Sequence, residues 1–129
     1  MKLTKKEDYT FFLISRLAKT YKGEPISLTN ISLQSGISVF FLKQLVRPLL
    51  KKRLIESKEG VHGGYKLTKD PSKITLLEIF KAIGTLPRLT SCCVEPCKRD
   101  KYCRPRELWR DLNEIIIDKL AKTNLAEFV

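Results

Sequence analysis

The sequence is poor in the groups that catalysis usually requires. It has one histidine, His62, one tryptophan and one methionine. No nucleophile is paired with a base, and no glycine loop has the spacing that cradles a phosphate, so little is left on which to build an enzyme. Long apolar runs are also lacking. None approaches the ~20 residues needed to cross a bilayer. The first ten residues, MKLTKKEDYT, are basic and then acidic, without the apolar stretch of a secretory signal. The expectation is a cytoplasmic, non-enzymatic protein with no membrane partner, in which cysteines stay reduced or bind metal. There is no CxxC pair, which removes the ordinary zinc-knuckle pattern.

Acidic residues are in deficit. The 129 residues carry 25 Lys and Arg against 14 Asp and Glu, a formal net charge of +11. Residues 1–70 hold fourteen of the basic side chains against six acids, whereas residues 71–129 hold eleven against eight. The excess in the first half points to a polyanion partner there, a basic solubilising surface being the plainer alternative.

Thr4-Lys5-Lys6-Glu7 has capping-box spacing and opens a first helix. Tyr9, Phe12, Leu13, Leu17 and Tyr21 give it one apolar face, and Gly23-Glu24-Pro25 stops it. Ser27 caps a short second helix whose apolar side includes Leu28, Ile31 and Leu33, and Gly36 permits the left-handed turn that ends it. Ser38 caps a third helix, with Leu42, Leu45, Val46, Leu49 and Leu50 inward and Val39, Phe40, Lys43, Gln44, Arg47 and Lys51 outward. Pro48 removes one amide donor and is expected to kink or divide this helix. Two short helices joined by a glycine turn, the second basic on its outer face, form a helix-turn-helix. Two short strands follow, LIES and YKL, separated by a loop with three glycines. A hairpin in that place is a wing.

Such a reader places a helix in the major groove of double-stranded DNA, where base edges distinguish all four base pairs. The DNA-facing set is then Ser38 at the helix start, Val39, Phe40, Lys43, Gln44 and Arg47, with Lys51 toward phosphate. Gln44 suits paired bonds to adenine, Lys43 or Arg47 suit guanine, and Phe40 offers apolar contact. Lys58 and His62 lie near the wing tip, toward the minor groove. His62 is read as an exposed wing residue rather than a catalytic group.

Thr75 caps a fourth helix, with Glu78 completing a capping box and Ile74 and Ile79 placed as a hydrophobic staple. Residues 85–104 are polar and hold all four cysteines, Cys92, Cys93, Cys97 and Cys103. Their usable spacing is Cys92-x4-Cys97-x5-Cys103 or Cys93-x3-Cys97-x5-Cys103. Thiolates are soft ligands suited to zinc or an iron–sulfur cluster. Lys98, Arg99, Lys101, Arg104 and Arg106 surround them and favour the thiolate form. Pro105 suits the first position of a last helix. Leu108, Trp109, Leu112, Ile115, Ile116 and Leu120 line that helix with a wide apolar face, fit for a second copy of the chain. The fold expected is mainly α with a small β-hairpin wing. A winged helix-turn-helix spans 1–84, a cysteine-rich loop 85–104, and a dimerisation helix with a tail 105–129.

The chain as a whole resembles the IscR/NsrR-type family of winged-helix iron–sulfur transcriptional regulators. The likeness is carried by MKLTKKEDY, by ISLTNISLQSGISVFFLKQLVRPLLKKRLIES, by GVHGGYKLTKDPSKITLLEIFKAI, by the cysteine loop, and by LWRDL and TNLAEFV. The resemblance implies a homodimer that binds an operator as a repressor. It also implies an iron–sulfur cluster on Cys92, Cys97 and Cys103, with Cys93 as a substitute ligand. One branch of the family carries a histidine ligand where this chain has Arg106, which cannot ligate. The nitric-oxide-sensing branch carries an aspartate at the start of the first helix, here Asp8. By that resemblance, Asp8 from the partner subunit completes a 4Fe–4S site, 2Fe–2S being the alternative, and the signal is nitric oxide, redox state or iron–sulfur status. On its position alone, Asp8 is an acid that favours a helix N-terminus. Glu59 departs from the family, whose members often place an arginine there. A zinc- or thiol-switch regulator without a cluster is the nearest rival, and a small iron–sulfur electron-transfer protein a more distant one.

Overall fold

A computed structural model describes residues 2–93 and 95–129. Five helices and one hairpin follow in chain order: α1 (Lys5–Lys19), α2 (Leu28–Ser35), α3 (Val39–Lys51), β1 (Ile55–Lys58), β2 (Gly64–Leu67), α4 (Leu76–Ile83) and α5 (Pro105–Lys122). Short 3-10 turns occupy Pro71–Lys73, Ser91–Cys93 and Leu125–Phe128. The architecture is a mainly α winged helix, with a long C-terminal helix beyond it.

Local chemistry sets most helix boundaries. The Glu7 carboxylate accepts from the Thr4 amide at 2.7 Å and from the Thr4 hydroxyl, closing the box at the head of α1. Burial works to raise the Glu7 pKa, but its bonds to Thr4 outweigh this and hold it below the usual carboxylate value. The Ser27 hydroxyl accepts from the Asn30 amide at 3.1 Å, and Gly36 takes φ 76° to end α2. The same logic repeats at α4, where Thr75 and Glu78 cap each other and Gly84 adopts φ 76°. Ile74 and Ile79, the staple pair, are fully buried.

The core is one cluster, built from Leu13, Ile14 and Leu17 of α1, Ile31 of α2, Leu42, Leu45 and Leu49 of α3, Ile55 and Leu67 of the hairpin, and Ile79 and Ile83 of α4. Leu125 of the tail joins it at 1% exposure. The tail reaches the core because the Leu76 amide donates to the Thr123 carbonyl at 2.9 Å and the Leu125 amide to the Ile74 carbonyl at 3.0 Å.

β1 and β2 pair antiparallel with Ile55 opposite Leu67 and Lys58 opposite Gly64. Residue 26 supplies a single-residue third strand, exchanging bonds of 2.8 and 3.0 Å with Tyr65. Gly64 sits at that contact with φ 150°, and a Cβ on it would collide with the backbone of Ile26. Arg53, at φ 58°, turns the chain from α3 into β1, and its carbonyl accepts from the Thr68 hydroxyl at 2.7 Å.

Several expectations change. α1 ends at Lys19, before Gly23, so Tyr21 packs from a turn rather than from the helix. Phe12 and Leu33, read as inward, are exposed at 38% and 83%. Neither faces the winged-helix core, whose α1 and α2 contacts are made by Ile14, Ala18 and Leu28 instead. α3 is not divided at Pro48. That residue stands in the last turn, where its missing amide costs a single bond, and its own carbonyl still accepts from Lys52 at 3.0 Å.

Gly64→Ala is expected to lower the unfolding free energy by about 1–3 kcal/mol through backbone strain, with the collision at Ile26 adding to it. Thr75→Ala is expected to cost about 1 kcal/mol through loss of the cap. Urea unfolding of each variant measures both.

Candidate functional site

The outer face of α3 is built by its cap. The Ser38 hydroxyl accepts from the Phe41 amide at 3.1 Å, which fixes where the helix begins. From there Phe40, Lys43, Gln44, Arg47 and Lys51 recur at intervals of three and four and are all exposed. Phe40 is 73% exposed, high for a phenylalanine with nothing covering it. Val39 does not belong to this stripe. It is half-buried against the core, at the boundary between the two faces. Lys58, Glu59 and His62 are exposed on the wing, with Val61 at its tip almost wholly in solvent.

The cysteine loop is a second site, held on the first half of α5. Cys92 and Cys93 lie on the 3-10 turn Ser91–Cys93. Cys97 and Cys103 bracket a tightly wound stretch in which the Asp100 amide donates to Cys97 at 3.0 Å and the Cys103 amide to Arg99 at 2.8 Å. Cys92, Cys97 and Cys103 line one cavity of about 240 Å³, together with Arg99, Asp100 and Arg106. Cys93 does not line it. Its thiol donates to the Trp109 carbonyl at 3.6 Å instead. All four thiols are free and half-buried. Among the described residues, no three His, Cys, Asp or Glu side chains stand close enough to hold a metal ion. The three cavity thiols share a space without converging on one point. As a donor set they suit a soft metal or an iron–sulfur cluster.

Thr90 joins the two kinds of thiol, its hydroxyl lying 2.9 Å from Cys92 Sγ and 3.5 Å from Cys93 Sγ. The Thr90 hydroxyl lowers the Cys93 pKa. For Cys97 the Arg99 amide, then the Arg99 guanidinium, favours the thiolate. Arg106, counted among the cations that favour thiolates, is committed elsewhere: its Nη1 lies 3.0 Å from Asp100 Oδ1. Arg106 and Arg110 together hold the Asp100 carboxyl below its ordinary pKa, the facing Arg106 guanidinium being the largest cause.

Asp8 is exposed on the first turn of α1. It stands at an apolar cleft of about 550 Å³ lined by Phe11, Phe12, Phe80, Leu120 and Phe128, a different cavity from that of the cysteines. A single chain therefore does not bring Asp8 into the cysteine cavity.

The profile of the Rrf2 family, described as an iron-dependent transcriptional regulator, matches residues 3–129. The chain belongs to the Rrf2 family. The HTH-type transcriptional regulator IscR of Photorhabdus laumondii is 35% identical over 130 residues, covering all of this chain and 79% of the relative. The structure of CymR, the global cysteine regulator of B. subtilis, superposes with a TM-score of 0.83 at 30% identity, covering 98% of this chain and 94% of that one. That of T. potens IscR superposes at 0.79 with 25% identity, covering 98% and 84%. The protein is a transcriptional regulator of the Rrf2/IscR type with a DNA-binding fold, not an enzyme. No described helix is long and apolar enough to cross a membrane.

Sequence reasoning passed over Asp100, Arg110 and Asn113. Arg110 lies in the LWRDL segment, but its partners are Cys92 and Asp100, and no local pattern joins them.

Arg99→Ala should slow alkylation of Cys97 by iodoacetamide at neutral pH. Losing the guanidinium raises the thiol pKa and thins the thiolate, while the Arg99 amide preserves part of the effect. Mass spectrometry of the alkylated peptides reads it.

Proposed function

We propose that this Rrf2-family protein is a homodimeric repressor whose grip on a double-stranded operator is set by an iron–sulfur cluster on Cys92, Cys97 and Cys103. The observation that carries the proposal is the sharing of one cavity by these three thiols, while Cys93 bonds the Trp109 carbonyl. That division favours Cys92 over Cys93 as the ligand. When bound, the cluster supplies iron open to attack by nitric oxide or oxygen, a 4Fe–4S form being favoured over 2Fe–2S. Arg99 beside Cys97 offsets the charge of a bound thiolate group. Arg106, being permanently cationic, cannot ligate, and Asp8 of the partner subunit is assigned as the oxygen ligand.

The reader spans residues 1–84, the loop 85–104 and the dimerisation helix with its tail 105–129. Gln44, Lys43 and Arg47 read base edges, Ser38 stays at the helix start beside the backbone, and Lys51, Lys58 and His62 approach phosphate and minor groove. Leu108, Leu112 and Ile115 form an exposed apolar stripe on α5, between 38% and 64% accessible, which supports pairing with a second copy. Coupling requires that the cluster favour one spacing of the two reading helices over another, because a ligand shifts an equilibrium only by its differential affinity.

The depressed Cys93 and Cys97 thiols favour one rival, a thiol switch without a cluster. Anaerobic reconstitution with iron and sulfide separates the two. Brown protein with iron and sulfide in stoichiometric amount, released from its operator by nitric oxide, is expected. Colourless protein with intact Cys92, Cys97 and Cys103 sinks the cluster. Asp8→Ala should leave the thiols in place but shorten the life of the cluster's visible absorbance. Separately, Lys43→Ala and Gln44→Ala should each weaken specific binding by about 1–3 kcal/mol per lost paired contact. Unchanged operator affinity in both would remove α3 from the reader's role.

A further inference from the structure

The cysteine loop has two arms and little to hold them. The first arm is Ser91–Cys93, with no buried residue. The second is Cys97–Cys103, wound on its own amides. Loops normally keep their shape by burying apolar side chains, and here the four thiols are only half-buried. Polar contacts to α5 take that role. Arg110 Nε donates to the Cys92 carbonyl at 3.2 Å, and its Nη2 stands 4.0 Å from Asp100 Oδ2. One guanidinium thus spans both arms, its planar fork presenting Nε to the first and Nη2 to the second. Arg106 closes on the other oxygen of Asp100 at 3.0 Å.

Isolated surface ion pairs contribute little. This one differs in three respects. Asp100 faces two cations rather than one, and the Asp100 and Arg106 side chains are only 31% and 23% exposed. Asp100 Oδ1 is out of solvent and has no well-aligned hydrogen bond, so the facing charge of Arg106 is what offsets its desolvation.

We propose that Asp100, Arg106 and Arg110 form an ionic clip that holds both arms of the loop on α5, so that Cys92, Cys97 and Cys103 face one cavity before any group is bound. Asp100 is a positioning residue in this assignment, not a ligand. The use of the clip rests on the proposal that these thiols hold a metal group, but the clip itself is a property of the metal-free chain.

The test uses the full chain, reduced and metal-free, with two readouts. Trypsin cleavage after Lys98, Arg99 and Lys101 reports whether the second arm is held. Titration with cadmium alone, followed by thiolate-to-metal absorbance, reports whether the thiols are gathered. Asp100→Asn should speed cleavage severalfold and lower cadmium affinity about 10- to 100-fold, the usual cost of losing a partner that orients ligands. Asp100→Glu, which keeps the charge, should restore most of both. Arg110→Gln, which leaves the Arg106 pair intact, should move both readouts less and in the same direction. Unchanged cleavage and cadmium affinity in Asp100→Asn overturns the clip. Weakened cadmium binding with unchanged cleavage also overturns it, because Asp100 would then be acting as a ligand. If the cleavage and cadmium results are as expected but anaerobic reconstitution yields no iron–sulfur absorbance, the clip stands and the cluster assignment fails.

Discussion

α5 is an eighteen-residue helix that buries one side chain, Asn113, against its own chain. The C-terminal half of the protein depends on this fact. A helix with an apolar face and so little core of its own owes its place to a few polar ties and to whatever covers it. Asn113 supplies one tie by accepting from the Leu89 amide at 2.9 Å. Thr123 supplies another, where the chain returns to pair beside Thr75. The exposed stripe of Leu108, Leu112 and Ile115 is left over. The cysteine loop inherits its geometry from the same helix, since Arg106, Trp109 and Arg110 all hold loop atoms.

The two halves differ in how their order is made. The winged helix is fixed by burial, with Leu13, Ile31, Leu42, Leu49 and Ile79 wholly removed from solvent. The loop is fixed by charge and hydrogen bonds. Burial is insensitive to small chemical changes at the surface, whereas a polar network responds to whatever enters it.

Legibility in the sequence followed the range of the interactions. Caps, glycine turns and the staple were readable because each is settled within about five residues, as at Ser27, Gly36, Ser38, Thr75 and Gly84. The hairpin and its wing were readable for the same reason. Faces were less secure at their edges. Val39 starts α3 between its two faces, and Phe12 and Leu33 are apolar residues that the winged-helix core does not cover. The return of Leu125 to the core was invisible, because its partner Ile74 is distant in sequence and the TNLAEFV tail has no period of its own. In the loop the cysteine spacing was legible, but the choice of Cys92 over Cys93 as a cavity-facing thiol turns on the Trp109 carbonyl, a backbone atom that no side-chain pattern reports.

The ties on α5 are unevenly spaced along it. Asn113 and Thr123 restrain its second half, while Pro105 to Leu112 project beyond them with the cysteine loop attached. At 1.5 Å per residue the overhang is a lever arm of about 12 Å. With Asn113 as fulcrum, a tilt of about 10° sweeps the loop by about 2 Å, comparable to the width of a bonded contact. The geometry works in both directions: a displacement of the loop, applied at the end of the arm, acts first on the tie between Asn113 and the Leu89 amide.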